Sequence, residues 1–212
     1  MKSSKLPLSL GLFLVLCGFV SHAAQPEDTN QVKSAESAEA DYARTIEKRV
    51  ADILAPLKLT NSTNSARAHD LLVAQYRTLR DWHDANDSKR KHAAAEDAAR
   101  LSAALKAIHE KFLADLAAAL TPEQIEMVKD KMTYNKVQFT YTGYCQTWPG
   151  LTEVQKQHVL ALLKEAREEA MDGGSAGEKT AVFTKYKGKI NNYLSKEGYV
   201  LKKPAAPAKA AQ

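Results

Sequence analysis

The sequence predicts an all-α fold: a single-domain bundle of five to six helices, with an aromatic-rich connection between the fourth and fifth. Three observations carry that expectation. The 212 residues include 34 alanines against 9 glycines and 7 prolines, and alanine costs a helix least where glycine and proline cost it most. Apolar residues recur at steps of three and four along most of the chain, the spacing that lines one helix face. Two segments, Leu120–Gln124 and Leu151–Gln155, read Leu-Thr-x-x-Gln. A threonine followed three positions later by glutamine opens a helix by satisfying its first unpaired amides reciprocally.

Residues 1–23 stand apart from the fold. Lys2 and Lys5 precede an uncharged stretch from Leu6 to Val20, and Ser21, His22 and Ala23 follow with small residues at the positions a signal peptidase reads. At about 15 residues the stretch falls short of the roughly 20 needed to span a bilayer as a helix. The expectation is a signal peptide cleaved after Ala23 and an exported protein, periplasmic or extracellular, with no transmembrane segment in the mature chain. Leu16 is too bulky to precede a lipidated Cys17, so Cys145 is the expected lone thiol. Two cysteines make neither a disulfide framework nor a structural zinc site.

A polar leader is expected over residues 24–40, loose from Gln25 to about Ala38, and the helical domain over 41–201. Tyr42, Ile46, Val50 and Ile53 mark a first helix, ended by Pro56. Ala68, Leu72, Tyr76, Leu79 and Trp82 mark a second, closed by the polar run Asp84 to Lys91. Leu101, Leu105, Ile108, Phe112 and Leu116 mark a third. Thr121 caps a fourth that carries Pro122 at its first position and reaches about Met132, with Leu120 placed to staple onto Ile125. Thr152 opens a fifth, through Val159, Leu163, Ala166 and Ala170, stopped by Gly173 and Gly174. Val182, Tyr186, Ile190, Tyr193 and Leu194 form one face of the last, with Gly198 beyond it. Residues 202–212, alternating Pro, Ala and Lys, read as a disordered tail.

Between the fourth and fifth helices the composition changes. No alanine occurs from Thr121 to Leu160, and Tyr134, Phe139, Tyr141, Tyr144 and Trp148 fall within fifteen residues beside Cys145. The alternation of Val137, Phe139 and Tyr141 allows a short extended piece. Tyrosine and tryptophan pair an apolar face with a hydrogen-bonding tip, which suits stacking on a sugar ring. They equally suit anchoring a long connection across a bundle.

Charge narrows the partners. Without Lys2 and Lys5 the mature chain has 28 basic and 25 acidic residues, and the excess is C-terminal: from Ala176 to Gln212 there are 8 lysines and 2 glutamates. In an exported protein a basic end points to anionic polysaccharide or a membrane surface rather than nucleic acid, or simply to a solvated face. Catalytic motifs are missing from the sequence. The histidines form no H-E-x-x-H or other metal spacing, and there is no nucleophile elbow, phosphate loop or dinucleotide fingerprint. No cofactor and no metal are therefore expected, and catalytic residues cannot be nominated.

The segment Ala166-Arg167-Glu168-Glu169-Ala170-Met171-Asp172-Gly173-Gly174-Ser175, leading into Phe183, Lys185, Tyr186, Lys187, Gly188, Ile190, Asn191, Asn192, Tyr193 and Leu194, resembles the secreted bacterial family known as domain of unknown function 3826. The resemblance covers roughly Asp41 to Leu201. It implies an exported bacterial protein with a sugar-binding role, working beside polysaccharide-degrading enzymes, and supplies no functional residues. The two Leu-Thr-x-x-Gln segments also resemble those of Spy-like periplasmic chaperones.

The candidate ligand-binding residues follow from chemistry. Tyr141, Tyr144 and Trp148 would stack on a sugar. Asn191, Asn192 and Asp172 would orient its hydroxyls, the asparagines being poor helix formers whose mid-helix cost a side-chain hydrogen bond offsets. Lys185 and Lys189, on one stripe with Asn192, would favour uronates. The rival reading is that Asn191 bridges to a neighbouring helix and the lysines are solvated. The expected function is non-catalytic binding of carbohydrate, including acidic polysaccharide; the alternatives are a Spy-like chaperone or stress protein, an enzyme of polysaccharide metabolism, and a structural envelope protein.

Overall fold

Seven α-helices occupy nearly all of residues 29–200, the part of the chain that a computed structural model describes, with side chains from residue 36 onward. The expected signal peptide and the tail over 202–212 lie outside these residues. The helices are α1 (Thr29–Leu54), α2 (Ser62–Arg90), α3 (Ala95–Ala117), α4 (Pro122–Met132), α5 (Lys136–Thr147), α6 (Glu153–Met171) and α7 (Ala176–Lys196). The chain divides into two units between Ala40 and Asp41; residues 29–40 of the first are helical, and the packing below concerns the second. No strand occurs among the described residues, and none of their helices is long and apolar enough to cross a membrane.

The apolar stripes bury most of the faces that their spacing predicts, though in α3 only Phe112 and Leu116 reach the core while Leu101, Leu105 and Ile108 are half-buried outside it. Ile46, Val50 and Ile53 of α1, Ala68 and Leu72 of α2, Phe112 and Leu116 of α3 and Val128 and Met132 of α4 form one cluster, which Met171 joins from α6. A second cluster holds Val137 and Tyr144 of α5, Val159, Leu163, Ala166 and Ala170 of α6, and Phe183, Ile190 and Leu194 of α7. α6 packs against α4, α5 and α7, so it is the central helix its wide apolar set foretells. Ala166 and Ala170 are fully buried, and their small side chains let neighbouring backbones approach.

Both capping boxes form. Thr121 accepts from Gln124 N at 3.3 Å while Gln124 Oε1 accepts from Thr121 N at 3.0 Å. Thr152 and Gln155 repeat the exchange at the same distances. Leu120 is buried and Ile125 packs on the same cluster, completing the staple. Pro56 falls in a 3-10 turn, Ala55–Leu57, that ends in left-handed Lys58 at φ 48°. Gly198 follows α7 at φ 91°, a conformation that favours glycine.

Three expectations are corrected. Residues 29–40 are helical rather than a loose leader, because Ala35, Ala38 and Ala40 interleaved with Glu36 and Glu39 are good helix formers without an apolar stripe. The polar run after Trp82 does not close α2, which continues to Arg90. Its exposed turns are held by i, i+3 and i, i+4 contacts such as Arg90 to Asp87 at 3.1 Å and His83 to Asp87 at 2.9 Å.

The third correction raises the helix number to seven. The aromatic segment is a helix, α5, rather than a connection or an extended piece. Val137, Thr140 and Tyr144 are its buried residues, at steps of three and four, while Phe139 is 79% exposed. The apparent alternation therefore mixed buried and solvent-facing positions. The turn into α5 is made by Tyr134 at φ 60° and Asn135 at φ 53°, with Asn135 N bonded to Asp130 O at 2.7 Å.

Candidate functional site

α5 and α7 form the walls of a groove of about 600 Å³ that contains three of the predicted residues. Tyr144 is buried, and its hydroxyl donates to Asn191 Oδ1 at 2.8 Å and approaches the Lys187 carbonyl at 3.3 Å. Burial pushes the Tyr144 phenol up to about 12, so it remains a donor at physiological pH. The Trp148 ring stacks on Tyr144 with centroids 5.7 Å apart and planes 21° apart, and Tyr199 meets its edge at 6.4 Å. Phe139 and Lys187 complete the walls with Gln138 and Gln146.

This geometry divides the predicted roles differently from the expectation. Tyr144 is a support: its faces and hydroxyl are occupied within the protein, and it cannot be an open stacking platform. Trp148, half-buried, and Phe139, at the rim, are the rings a ligand can reach. Asn191 does bridge to the neighbouring helix through its carbonyl oxygen, and its amide NH2 has no partner among the described residues. Phe139 and Lys187 were missed. The first was visible in the aromatic run, and the second carried no signal beyond being one of several lysines on α7.

The remaining candidates lie elsewhere. Tyr141 sits beside Cys145 near Glu153 and Lys156, and Cys145 itself is half-buried. Asn192 is exposed and is not part of the groove wall. Lys185 pairs with Glu169 at 2.8 Å, and Lys189 stands 3.9 Å over the Tyr186 ring. These corrections share one cause: residues at steps of three and four share a helix face, but a face is wider than one groove.

Asp172 belongs to a polar basin of about 780 Å³ that also includes His83, His109, Glu168 and Glu178. Its Oδ1 lies 2.9 Å from His109 Nδ1, and its backbone carbonyl lies 2.7 Å from His83 Nε2. His109 Nε2 is 3.5 Å from Glu168 Oε2. Glu168 also meets Lys129 at 3.0 Å and Arg167 at 3.1 Å, and Arg167 continues to Glu126 at 2.6 Å and Asp130 at 2.8 Å. Asp172 and then Glu168 raise His109 to about 9. Burial alone would raise Glu168, but His109 and Lys129 hold it at about 2. His109 is thus a cation at neutral pH with both nitrogens committed, which suits an ion network joining α3, α4 and α6 and not a general base.

For a metal, His83, Asp87 and Glu178 offer donor atoms within 4.8 Å of one another. Both carboxylates already have partners. Arg90 donates to Asp87 Oδ1 at 3.1 Å, and Glu178 accepts from Ser175 Oγ at 3.1 Å and Gly174 N at 3.3 Å.

A family model described as "Protein of unknown function (DUF3826)" matches residues 43–207, which takes in every helix that builds the groove and the basin. No curated protein matches the chain.

Proposed function

We propose, for a chain that belongs to the DUF3826 family of proteins of unknown function, that it binds carbohydrate without catalysis in the groove between α5 and α7. One observation carries the reading. The Trp148 ring, held at its back by Tyr144, shares a groove with the Asn191 amide and Lys187. A rigid aromatic face beside a fixed amide is the combination that stacks on a sugar ring while hydrogen bonding its hydroxyls. Lys187 adds affinity for sugars that bear a negative charge. The exposed large apolar residues Met127, Tyr134, Phe139, Val154 and Val200 are spread over α4, the α4–α5 turn, α5, α6 and the segment after α7, which favours a local groove over the broad apolar face of a Spy-like chaperone. Export, and association with polysaccharide breakdown, are part of the same proposal and rest on the sequence.

The test is retention on a panel of immobilised neutral and acidic polysaccharides, comparing wild type with Trp148→Ala. Retention on at least one polymer, reduced tenfold or more by the substitution, is the expected result. Equal retention of the two proteins removes Trp148 from the site. A lack of retention on every polymer overturns the carbohydrate reading.

A further inference from the structure

A third cavity, of about 310 Å³, is enclosed by α1, α2, the α4–α5 turn and the start of α7. Arg49, Arg80 and Lys179 line it together with Tyr42, Tyr76 and Tyr134. The volume is at the low end of the roughly 300–1,000 Å³ typical of small-molecule sites. Its lining brings together three cations and three phenol rings, from segments that lie far apart in the sequence.

Lys179 is 4% exposed. Its ammonium donates to the carbonyls of Met132 at 3.2 Å and Met171 at 3.4 Å, the last residues of α4 and α6. Neither acceptor has a formal charge; what they offer the ammonium is the partial negative charge of the α4 and α6 ends. Among the described residues, neither Lys179 nor Arg49 has a carboxylate within ion-pair distance. Arg49 lies 6.0 Å over the Tyr76 ring, and Arg80 lies 4.0 Å over Tyr42 while reaching the exposed Asp81 at 3.2 Å. The acidic groups closest in influence to Lys179, Asp172 and Glu178, are engaged by His109 and by the Gly174–Ser175 turn. Burial, and then Arg49, lower Lys179 to about 8. An ammonium buried without a counter-charge beside an arginine is costly to folding, and an anion from outside would relieve that cost.

The cavity wall also holds strain. Tyr134 and Asn135 adopt left-handed φ angles in succession, a conformation rare for a tyrosine, and this turn carries the half-exposed Tyr134 ring to the cavity. Tyr42 Oη donates to the Tyr76 carbonyl at 2.9 Å, fixing one ring against the next helix. The start of α7 adds the positive end of a helix dipole.

We propose that this cavity is a receptor for a sugar acid of the hexuronate class. Its carboxylate is received by Lys179 and Arg49, and its ring packs on the tyrosines. The site is separate from the α5–α7 groove and does not depend on the reading of that groove.

The experiment is calorimetric titration of the full chain with sodium glucuronate, glucose and sodium acetate, using wild type, Arg49→Gln, Tyr134→Ala and Trp148→Ala. Arg49 is exposed, so its substitution leaves the core intact, and circular dichroism of each variant checks the fold. The expected result is saturable binding of glucuronate alone, weakened about tenfold by Arg49→Gln, which removes one charge-assisted contact, weakened by Tyr134→Ala, and unchanged in Trp148→Ala. Failure of glucuronate to bind, or an equal response to glucose or acetate, overturns the proposal. So does full affinity in Arg49→Gln. Loss of binding in Trp148→Ala alone would place the sugar acid in the groove, overturning this site while leaving the groove reading standing.

Discussion

The Tyr144 hydroxyl donates to Asn191 Oδ1 across 2.8 Å, linking α5 to α7 at the floor of the groove. A neutral hydrogen bond of this kind contributes about 1 kcal/mol net. Tyr144→Phe and Asn191→Ala are each expected to destabilise the fold by about that amount, and the double variant by about 1 kcal/mol less than the sum of the two. Urea unfolding of the four proteins measures this coupling; strictly additive losses would mean that the bond contributes nothing.

Gly174 makes a second prediction. A β-carbon there would lie 2.7 Å from His83 Cγ and 2.8 Å from Cδ2, closer than packed atoms tolerate. The His83 ring cannot easily retreat, since Nε2 is held by the Asp172 carbonyl and Nδ1 by Asp87. Gly174→Ala should therefore cost about 1–3 kcal/mol, the usual penalty of overpacking. The loss should shrink when His83→Ala is added, and thermal unfolding of the pair of variants decides it.

Stability should fall as pH rises from 6.5 to 8. His109 has a folded value of about 9 against an ordinary 6.5, so the native state holds its proton where the unfolded chain releases it. Its contribution is complete below 6.5 and is lost as pH climbs toward 9. Lys179, lowered to about 8 from 10.5, has the opposite sign, since its contribution rises above pH 8. The interval from 6.5 to 8 is therefore the window for His109. With a discount for solvent screening, the expected loss there is about 1–2 kcal/mol. His109→Gln should flatten it, and the difference between the two proteins subtracts other groups, including His69, which Asp70 and Glu47 also raise. Identical slopes in the two proteins would contradict the assignment.

The fold was legible in the sequence where the signal is local. The stripes Ile46–Val50–Ile53 and Tyr186–Ile190–Leu194, and the boxes at Thr121 and Thr152, are set by residues within a turn or two of each other, and all appear in the structure. α5 was not legible, because its buried face consists of Val137, Thr140 and Tyr144, residues of modest helix propensity that α6 and α7 hold in place. The nearness of the aromatic run to Asn191 was a conjecture from chemistry. The bond itself joins residues 47 apart in sequence, beyond any periodicity. Asp172 failed as a groove residue for the same reason: its partner His109 lies 63 positions away on α3. The basin and the cavity around Lys179 are products of tertiary packing, and a single lysine at the start of an amphipathic helix announces neither.

Arg167 provides the sharpest test of what holds the central helix. It is 3% exposed, and its guanidinium donates to Glu126 at 2.6 Å, Asp130 at 2.8 Å and Glu168 at 3.1 Å, while Nε has no partner. Such a network contributes little relative to an apolar replacement, but breaking it from one side leaves carboxylates together without their cation. Arg167→Met should therefore cost about 3 kcal/mol, the lower end of the usual range, because Glu126 and Asp130 are 46% and 38% exposed and water can reach them. Adding Glu126→Gln and Asp130→Asn to the same protein should recover most of that loss, since those two groups are then neutral and Glu168, the remaining carboxylate, keeps His109 and Lys129 as partners. Urea unfolding of the single and triple variants separates the two accounts. A single variant as stable as wild type would show that the arginine is dispensable, and a triple variant no better than the single would show that its packing, not its charge, holds α4 against α6.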